Sequence, residues 1–237
     1  MDKTVENNKP INNRNRFKTF LTIFVLVFSV CLLIVEGFVY YQRSYLTPFW
    51  VNGQSMYPTL NGNAFDSYGN KLDEYSGSSN VGYIVDYGVM DTHDSALKNI
   101  KRFDIVITKY SSLDEGNKIK RVIGLPGETI SFLNKGSGNE HNGDLYVNGK
   151  YCEQPISSEV IKNSSGYPTG ELKLGEDEYY VLGDNRNHSR DSRGEGPIKR
   201  KYITGKAIAL CATCEVFLNS DGELDVKNIK HYFPRFF

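Results

Sequence analysis

The sequence of 237 residues is short of cysteine and has no excess of charge. Four cysteines are too few to hold together a disulfide-dense small domain. Twenty-eight basic residues balance 28 acidic ones, so the chain lacks the overall positive charge typical of nucleic-acid-binding proteins. Long runs with helical periodicity are rare beyond the N-terminal region, whereas glycine is plentiful at 22 residues. The composition therefore favours strands and turns and predicts no nucleic-acid partner.

One long uncharged stretch lies near the N-terminus. No charged residue occurs from position 19 to 35, and the apolar run continues past Glu36 to residue 41. As a helix, residues 20–41 would be about 33 Å long, enough to cross a hydrocarbon core of about 30 Å. A cleaved secretory signal would be shorter and end in a small-residue cleavage site, and a soluble core helix would show a polar face. We expect an uncleaved transmembrane anchor at 20–41.

Basic residues flank this predicted anchor unequally. Five lysines and arginines precede it, whereas only Arg43 lies in the 19 residues that follow. Cytoplasmic segments beside membrane spans carry the excess of basic residues. We therefore predict a single-pass protein of the plasma membrane, with a polar cytoplasmic tail at 1–19 and an extracytoplasmic domain at 42–237.

Residues 42–237 contain many short runs with strand character. Segments rich in Gly, Asn and Ser separate them, notably 61–80, 134–143 and 157–170, and Asn148-Gly149 is a strong signal for a two-residue hairpin. The predicted fold class is mainly β, an antiparallel coiled β-sheet domain behind a single N-terminal transmembrane helix. The predicted strands are 49–51, 81–87, 104–110, 118–123, 128–133, both arms of 144–152, 178–183 and 206–218, with one short helix at 91–101.

A serine follows the first predicted strand in the segment 53–60, which reads GQSMYPTL. Pro58 disfavours a helical conformation for Tyr57, so Ser55 is expected on an exposed, stiff turn. Most serines in turns are solvated hydroxyls or caps. This segment alone is therefore a weak signal for a nucleophile.

Cations alternate with apolar residues in the segment 118–128, which reads KIKRVIGLPGE. Side chains of a strand alternate between its faces, which places Lys118 and Lys120 on one side. Solvated lysines commonly protect a sheet edge. The alternative is a lysine drawn into an apolar cleft, where desolvation lowers its pKa from about 10.4 and the neutral amine can accept a proton from a serine hydroxyl.

A polar cluster, GDNRNHSRDSR at 183–193, follows the apolar strand EYYVL. The tip of a hairpin would look similar. The spacing of Asp191 and Arg193 nevertheless suits a local ion pair, and Asp184 and Asn185 can fix the loop by bonds from side chain to backbone.

These three segments, in this order behind an anchor, resemble the bacterial type I signal peptidases, particularly those of Gram-positive type. IKRFDIVITKY at 100–110 and DLYVNGK at 144–150 are similar to further motifs of the family. The resemblance implies a signal peptidase I, a membrane-anchored serine endopeptidase with a Ser/Lys dyad. It would cleave N-terminal signal peptides from exported pre-proteins after small residues, through an acyl-enzyme. The implied partners are signal-peptide-bearing pre-proteins and the lipid bilayer, and we expect a monomer without metal or cofactor.

The resemblance also implies a role for each candidate site residue. Ser55 matches the nucleophile, Lys120 the general base and Ser189 the hydroxyl that orients the lysine amine. Met56 matches a residue that packs beside the nucleophile. Some members carry a hydroxyl residue at the position of Gly53 as a second oxyanion donor, so this donor is left unassigned here. Two pairs of charged residues match structural charges that support the site in the family. They are Asp191 with Arg193, and Arg121 with Asp184.

Cysteines and histidines leave several alternatives open. Cys211 and Cys214 could bind zinc with Cys152 and a histidine such as His141 or His231, or form a redox centre, although no paired ligand motif exists. A disulfide among Cys152, Cys211 and Cys214, or free buried thiols, would also fit an extracytoplasmic domain. His188, beside Ser189, raises a Ser-His alternative, but we interpret it as a solvated loop residue.

Two alternative functions are compatible with an anchored β-rich domain. The first is a Ser/Lys protease restricted to particular surface substrates, and the second is a non-catalytic anchored β-domain that binds secreted chains. Fourteen residue steps separate residue 41 from Ser55, which is at most about 50 Å of extended chain. This limit places the serine near the outer membrane surface, where tethered pre-proteins emerge.

Overall fold

The computed structural model of this chain describes residues 13–51, 53–61, 83–110, 116–133, 143–156, 166–218 and 224–237. Most of the three predicted loops at 61–80, 134–143 and 157–170 lies outside these residues. The chain forms two compact units that meet in sequence between Tyr45 and Leu46.

The first unit contains one helix, α1, over Asn13–Tyr45. Within its segment Arg16–Tyr45, the most apolar stretch of 18 residues has a mean hydropathy of 2.6, and none of that stretch is buried within the protein. By length and composition this helix can cross a membrane. It extends beyond the predicted 20–41 at both ends because the flanking Arg, Lys and Gln residues are themselves good helix formers.

The second unit is built almost entirely of antiparallel strands, which confirms the predicted fold class. Among its described residues, the helices are α2 (Asp94–Lys98), α3 (Ser192–Glu195) and a 3₁₀ turn at Arg200–Tyr202. The strands are β1 (Leu46–Trp50), β2 (Tyr83–Asp91), β3 (Ile105–Thr108), β4 (Lys118–Gly124), β5 (Thr129–Leu133), β6 (Asp144–Val147), β7 (Lys150–Cys152), β8 (Glu171–Lys173), β9 (Glu178–Leu182), β10 (Ile198–Lys199), β11 (Ile203–Leu218) and β12 (Leu224–Phe236).

Two sheets share these strands. The larger has the order β1-β2-β11-β3-β4-β9-β10, with β12 also paired to β11, and the smaller has the order β7-β6-β5-β8. The predicted hairpin between β6 and β7 is confirmed: Asn148 and Gly149 have φ values of 50° and 75°, as a type I′ turn requires.

The 16-residue strand β11 connects the two halves of the larger sheet. Strand β2 pairs along residues 206–216 on one edge. The opposite edge pairs first with β3 along 203–206 and then with β12 along 209–218. Register shifts interrupt these pairings, and such bulges bend and twist a strand. Strands β1 and β4 thus belong to the same sheet, and the sheet positions both β4 and the turn that follows β1.

Several elements differ from the predictions. Strand β2 runs to Asp91, and α2 covers only part of the predicted helix at 91–101. The short elements β8, β10 and α3 and the long strand β12 were not predicted. In β12, LDVKNIKHYFPRF, the alternation of apolar and polar residues that marks a strand holds only from Leu224 to Lys227 and is then lost, and most of its described side chains are exposed.

Candidate active site

Ser55 lies on a compact turn after β1. The N–H of Val51 donates to the carbonyl of Asp86 on β2, and the N–H of Leu60 donates to the carbonyl of Met56, both at 2.9 Å. Met56 and Leu60 are fully buried and pack with Ile105, Ile107 and Leu210. Ser55 is half-buried, and thus less exposed than expected, because its two neighbours in this cluster draw the turn against the sheet.

Lys120 is brought to Ser55 by β4. This strand is central, with β3 on one side and β9 on the other, so Lys120 does not lie on a sheet edge. Its Nζ lies 2.9 Å from Ser55 Oγ and 2.9 Å from the carbonyl oxygen of Ile119. Only 3% of Lys120 is exposed. The interpretation of this lysine as a solvated edge residue is therefore wrong.

Burial changes the acidity of this amine. Desolvation lowers the pKa of Lys120 from 10.5 to about 8, and the positive charge of Lys118 acts in the same direction. Asp191 and Asp184 oppose the shift because their negative charges favour the ammonium form. At pH 8 about half of the molecules would carry a neutral amine, which can accept a proton.

Asp191 and Arg193 form the ion pair that their spacing predicts. The guanidinium contacts both carboxylate oxygens, with Nε at 2.8 Å from Oδ1 and Nη2 at 2.9 Å from Oδ2. Asp191 also accepts from the N–H of Arg193, which caps α3, and from the N–H of Gly183. Burial alone would raise the pKa of Asp191, but the side-chain bond and charge of Arg193, together with the N–H of Gly183, outweigh burial and lower it. The pair ties the loop after β9 to α3.

Arg121 and Asp184 form a second buried pair. Nε donates to Oδ1 at 2.7 Å and Nη2 to Oδ2 at 2.5 Å, the bidentate arrangement that suits Arg and a carboxylate. Nη1 donates to the carbonyl oxygen of Phe103, a residue held at a φ of 70°. Arg121 follows Lys120 in β4, so this pair connects the strand of the amine to the loop at 183–185.

Ser189 lies against Gly183, beside the Ser55 turn. A Cβ on Gly183 would stand 2.2 Å from Ser189 Oγ and 2.4 Å from the carbonyl oxygen of Ser55. Ser189 Oγ is buried and has no partner among the described residues at full hydrogen-bond geometry, although it lies close enough to Asp191 to help lower the pKa of that carboxyl. Its hydroxyl therefore makes no hydrogen bond to Lys120, and the orienting role implied for it stays a prediction.

Arg186 is a buried residue of this loop that the sequence did not single out. It is 2% exposed and donates to the carbonyl of Gly183, the hydroxyl of Tyr167 and the side-chain oxygen of Gln154. The ring of Tyr167 also lies 5.4 Å from the guanidinium carbon of Arg193. Because this segment contains several charged residues, its sequence does not indicate which arginine is buried and which is solvated. His188, by contrast, is exposed as expected.

Ser55 and Lys120 line a cleft of about 550 Å³. One wall is β1 from Thr47 to Trp50, and the other is the chain from Gly116 to Lys120. Met90 and Ile107 also line this mainly apolar cleft. An extended peptide laid between the walls would pass the hydroxyl and the amine.

The cysteines form no bridge. Cys31, Cys152, Cys211 and Cys214 are all free, so the alternative of a disulfide among the last three is not realised. Burial raises the pKa of Cys214 to about 11, which keeps its thiol protonated and unreactive. Within the described part of the chain, no group of three or more His, Cys, Asp or Glu side chains is placed to hold a metal ion.

Comparison with known proteins identifies the family. The family described as "Signal peptidase, peptidase S26" matches residues 16–212. Signal peptidase I of Bacillus licheniformis is 31% identical over 207 residues, which cover 83% of this chain and 89% of that protein. The chain belongs to the signal peptidase family, peptidase S26. The prediction of a signal peptidase I enzyme, a serine peptidase that acts on signal peptides at a membrane, is confirmed.

Two further similarities cover less of the chain. Signal peptidase I V of Bacillus subtilis (strain 168) is 42% identical over 118 residues, which are 46% of this chain and 64% of that relative. A crystal structure of a signal peptidase I from Enterococcus faecalis V583 is 32% identical and covers 46% of this chain and 96% of that chain, with a TM-score of 0.34.

Proposed function

We propose that Ser55 and Lys120 form a catalytic dyad that removes signal peptides from exported pre-proteins through an acyl-enzyme. The observation that carries the proposal is the 2.9 Å contact between the Ser55 hydroxyl and the amine of Lys120, a residue that is only 3% exposed. This distance is within reach of direct proton transfer. Burial lowers the pKa of the amine to about 8, so a usable fraction is neutral near physiological pH.

The chemistry then has two halves. Lys120 takes the proton of Ser55 as Oγ attacks the scissile carbonyl carbon, and the ammonium returns that proton to the leaving amine as the peptide C–N bond breaks. A water molecule next attacks the acyl-enzyme ester, and Lys120 takes its proton. The ester bond breaks, Ser55 recovers its proton from the ammonium, and the signal peptide leaves with a new carboxylate.

The negative charge on the carbonyl oxygen during each attack needs hydrogen-bond donors. We assign one to the backbone N–H of Ser55. Gly53 carries no hydroxyl, and the space that its side chain would fill is open, with nothing within 4 Å of a Cβ built there. The second donor is therefore assigned to a backbone N–H or to water. Loss of one such donor typically costs about 3 kcal/mol of transition-state stabilisation.

The surrounding groups fit supporting roles. The pairs Arg121–Asp184 and Asp191–Arg193 hold the loop that contacts the Ser55 turn. The family resemblance assigns to Ser189 the hydroxyl that orients the lysine amine. The substrate lies extended in the cleft, and the family resemblance implies small residues before the cleaved bond. The N-terminus lies in the cytoplasm, and the monomeric catalytic unit lies outside it at the membrane, where exported chains emerge.

The test uses the full chain in detergent or in vesicles, with a radiolabelled pre-protein as substrate. Ser55→Ala and Lys120→Ala should each abolish cleavage, whereas the exposed Lys101→Ala should cleave normally. N-terminal sequencing of the product should place the cut after a small residue. Cleavage by Lys120→Ala at a normal rate would refute the dyad.

Two further measurements separate the alternative functions. Mass spectrometry after reaction with a β-lactam-type inhibitor should show the acyl group on Ser55 and none in Ser55→Ala. A non-catalytic binding module would remain unmodified. Cleavage of several unrelated pre-proteins would exclude an enzyme restricted to a single surface substrate.

A further inference from the structure

Asn61 and Asp86 bind each other reciprocally at the end of the Ser55 turn. The N–H of Asn61 donates to Asp86 Oδ2 at 2.7 Å, and the N–H of Asp86 donates to Asn61 Oδ1 at 2.8 Å. Both residues are more than nine-tenths buried, although 25 positions separate them in the chain. This paired contact fixes the last residue of the turn to β2.

The amide of Asn61 also reaches back to the start of the turn. Its Nδ2 donates to the carbonyl of Val51 at 2.7 Å and to that of Gly53 at 3.1 Å. One side chain therefore ties together both ends of the segment that carries Ser55. Asn61 has a φ of 58°, a left-handed conformation that asparagine adopts more readily than most residues.

The strand β12 supplies another contact to the same turn. Nη2 of Arg235 donates to the carbonyl of Thr59 at 2.6 Å, across 176 positions of sequence. In the loop after β9, the N–H of Asn185 donates to the carbonyl of Ser55 at 3.1 Å. The turn is thus held by β2, by β12 and by the loop after β9.

We propose that Asn61 is a positioning residue for the reaction, with Asp86 and Arg235 as its partners in holding the turn. None of the three bonds the hydroxyl or the amine, so their effect on the reaction passes through the backbone of 51–61. Proton transfer at 2.9 Å depends steeply on the separation of Ser55 and Lys120, and a misplacement of about 1 Å can reduce a rate about 100-fold. The inference rests on the proposed role of Ser55.

The central test replaces Asn61 by glycine, which keeps the left-handed backbone and removes only the amide. In the full chain, kcat for pre-protein cleavage should fall about 10- to 100-fold while KM changes less than about twofold, since the cleft walls are unaltered. Acylation of Ser55 by a β-lactam-type inhibitor should slow to a similar extent. Asp86→Asn keeps an acceptor for the N–H of Asn61 and should retain most of the activity.

A second variant guards against a folding defect. Arg235 is exposed, so Arg235→Gln should stay folded and lower kcat by about 2- to 10-fold, as expected for the loss of one hydrogen bond. Asp94→Ala, which removes a surface ion pair with Lys98, is the control and should cleave normally. Thermal unfolding of each variant shows whether a loss of activity is due to a loss of folded protein.

The outcomes distinguish this inference from the proposed function. Reduced kcat at normal KM in folded Asn61→Gly, with activity largely retained in Asp86→Asn, supports it. Normal kcat in both Asn61→Gly and Arg235→Gln, beside an inactive Ser55→Ala, overturns the positioning role alone. Normal cleavage by Ser55→Ala overturns both.

Discussion

Gly183 and Ser55 approach each other so closely that no side chain fits between them. A Cβ on Gly183 would stand 2.4 Å from the carbonyl oxygen of Ser55, well inside van der Waals contact. Two residues further on, the N–H of Asn185 donates to this same oxygen. The loop after β9 therefore helps to fix the position of the Ser55 turn.

Gly183→Ala should displace the turn and reduce cleavage about 10- to 100-fold, because the obstructing atom belongs to the backbone and cannot rotate away. The measurement is kcat/KM with a synthetic signal-peptide substrate. Gly194→Ala is a matched control, since nothing lies within 4 Å of a Cβ built there, and it should change the rate less than about twofold. Equal activity of the two variants would show that the close approach is irrelevant.

The pH dependence of cleavage should follow the titration of Lys120. Only the neutral amine can accept the serine proton, and its pKa is about 8. We expect kcat/KM to rise about tenfold per pH unit below this value and to level off above it. Lys118→Gln should move the midpoint to higher pH, because the charge of Lys118 helps to lower the pKa of Lys120. A midpoint that moves to lower pH would contradict this electrostatic coupling.

Lys120→Met should abolish cleavage and yet stabilise the fold. The lysine pKa is about 8 when folded and about 10.5 when unfolded, so the unfolded state binds more protons between these values. Wild-type stability should thus rise as pH increases from about 8 to 10.5, and burial of the amine costs about 3 kcal/mol below that window.

The advantage of Lys120→Met should accordingly be largest at or below pH 7 and shrink toward pH 10.5. Thermal unfolding in detergent across this pH range measures it. A constant difference between the two proteins would mean that the amine is not desolvated in the folded state.

Arg121→Met should destabilise the second unit by about 3 to 5 kcal/mol, because it leaves Asp184 charged, completely buried and without its bidentate partner. The double variant Arg121→Met with Asp184→Leu should recover part of this loss, since no unpaired charge remains. Urea unfolding of both single variants and the double variant gives the coupling energy. Additive losses would show that the two residues do not act as a pair.

The parts of the site that follow from sequence are those joined by local spacing or by short motifs. Asp191 and Arg193 lie two positions apart, and a turn between strands already brings them together. Ser55 and Lys120 are 65 positions apart, and only the combined motifs indicated that they meet. The class of fold was predictable because short apolar runs and turn residues alternate along the chain.

Other contacts depend on tertiary pairing that no local pattern reveals. Asn61 lies beside Asp86 because β2 pairs with β1, and Arg235 reaches Thr59 because β12 pairs with β11. Most described side chains of β12 are exposed and several are charged, so hydropathy did not mark it as a strand. Lys120 was ambiguous for a related reason: the sequence does not show that β4 is central and that its amine is covered.

Strand β11 sets the spacing between the part of the sheet next to Lys120 and the part that holds the Ser55 turn. Its first residues pair with β3, the neighbour of β4, which carries Lys120, and the rest pairs with β2 and β12, which hold the Ser55 turn. Because a single strand pairs with both halves of the larger sheet, an insertion or deletion within β11 would change the separation between the Ser55 hydroxyl and the Lys120 amine.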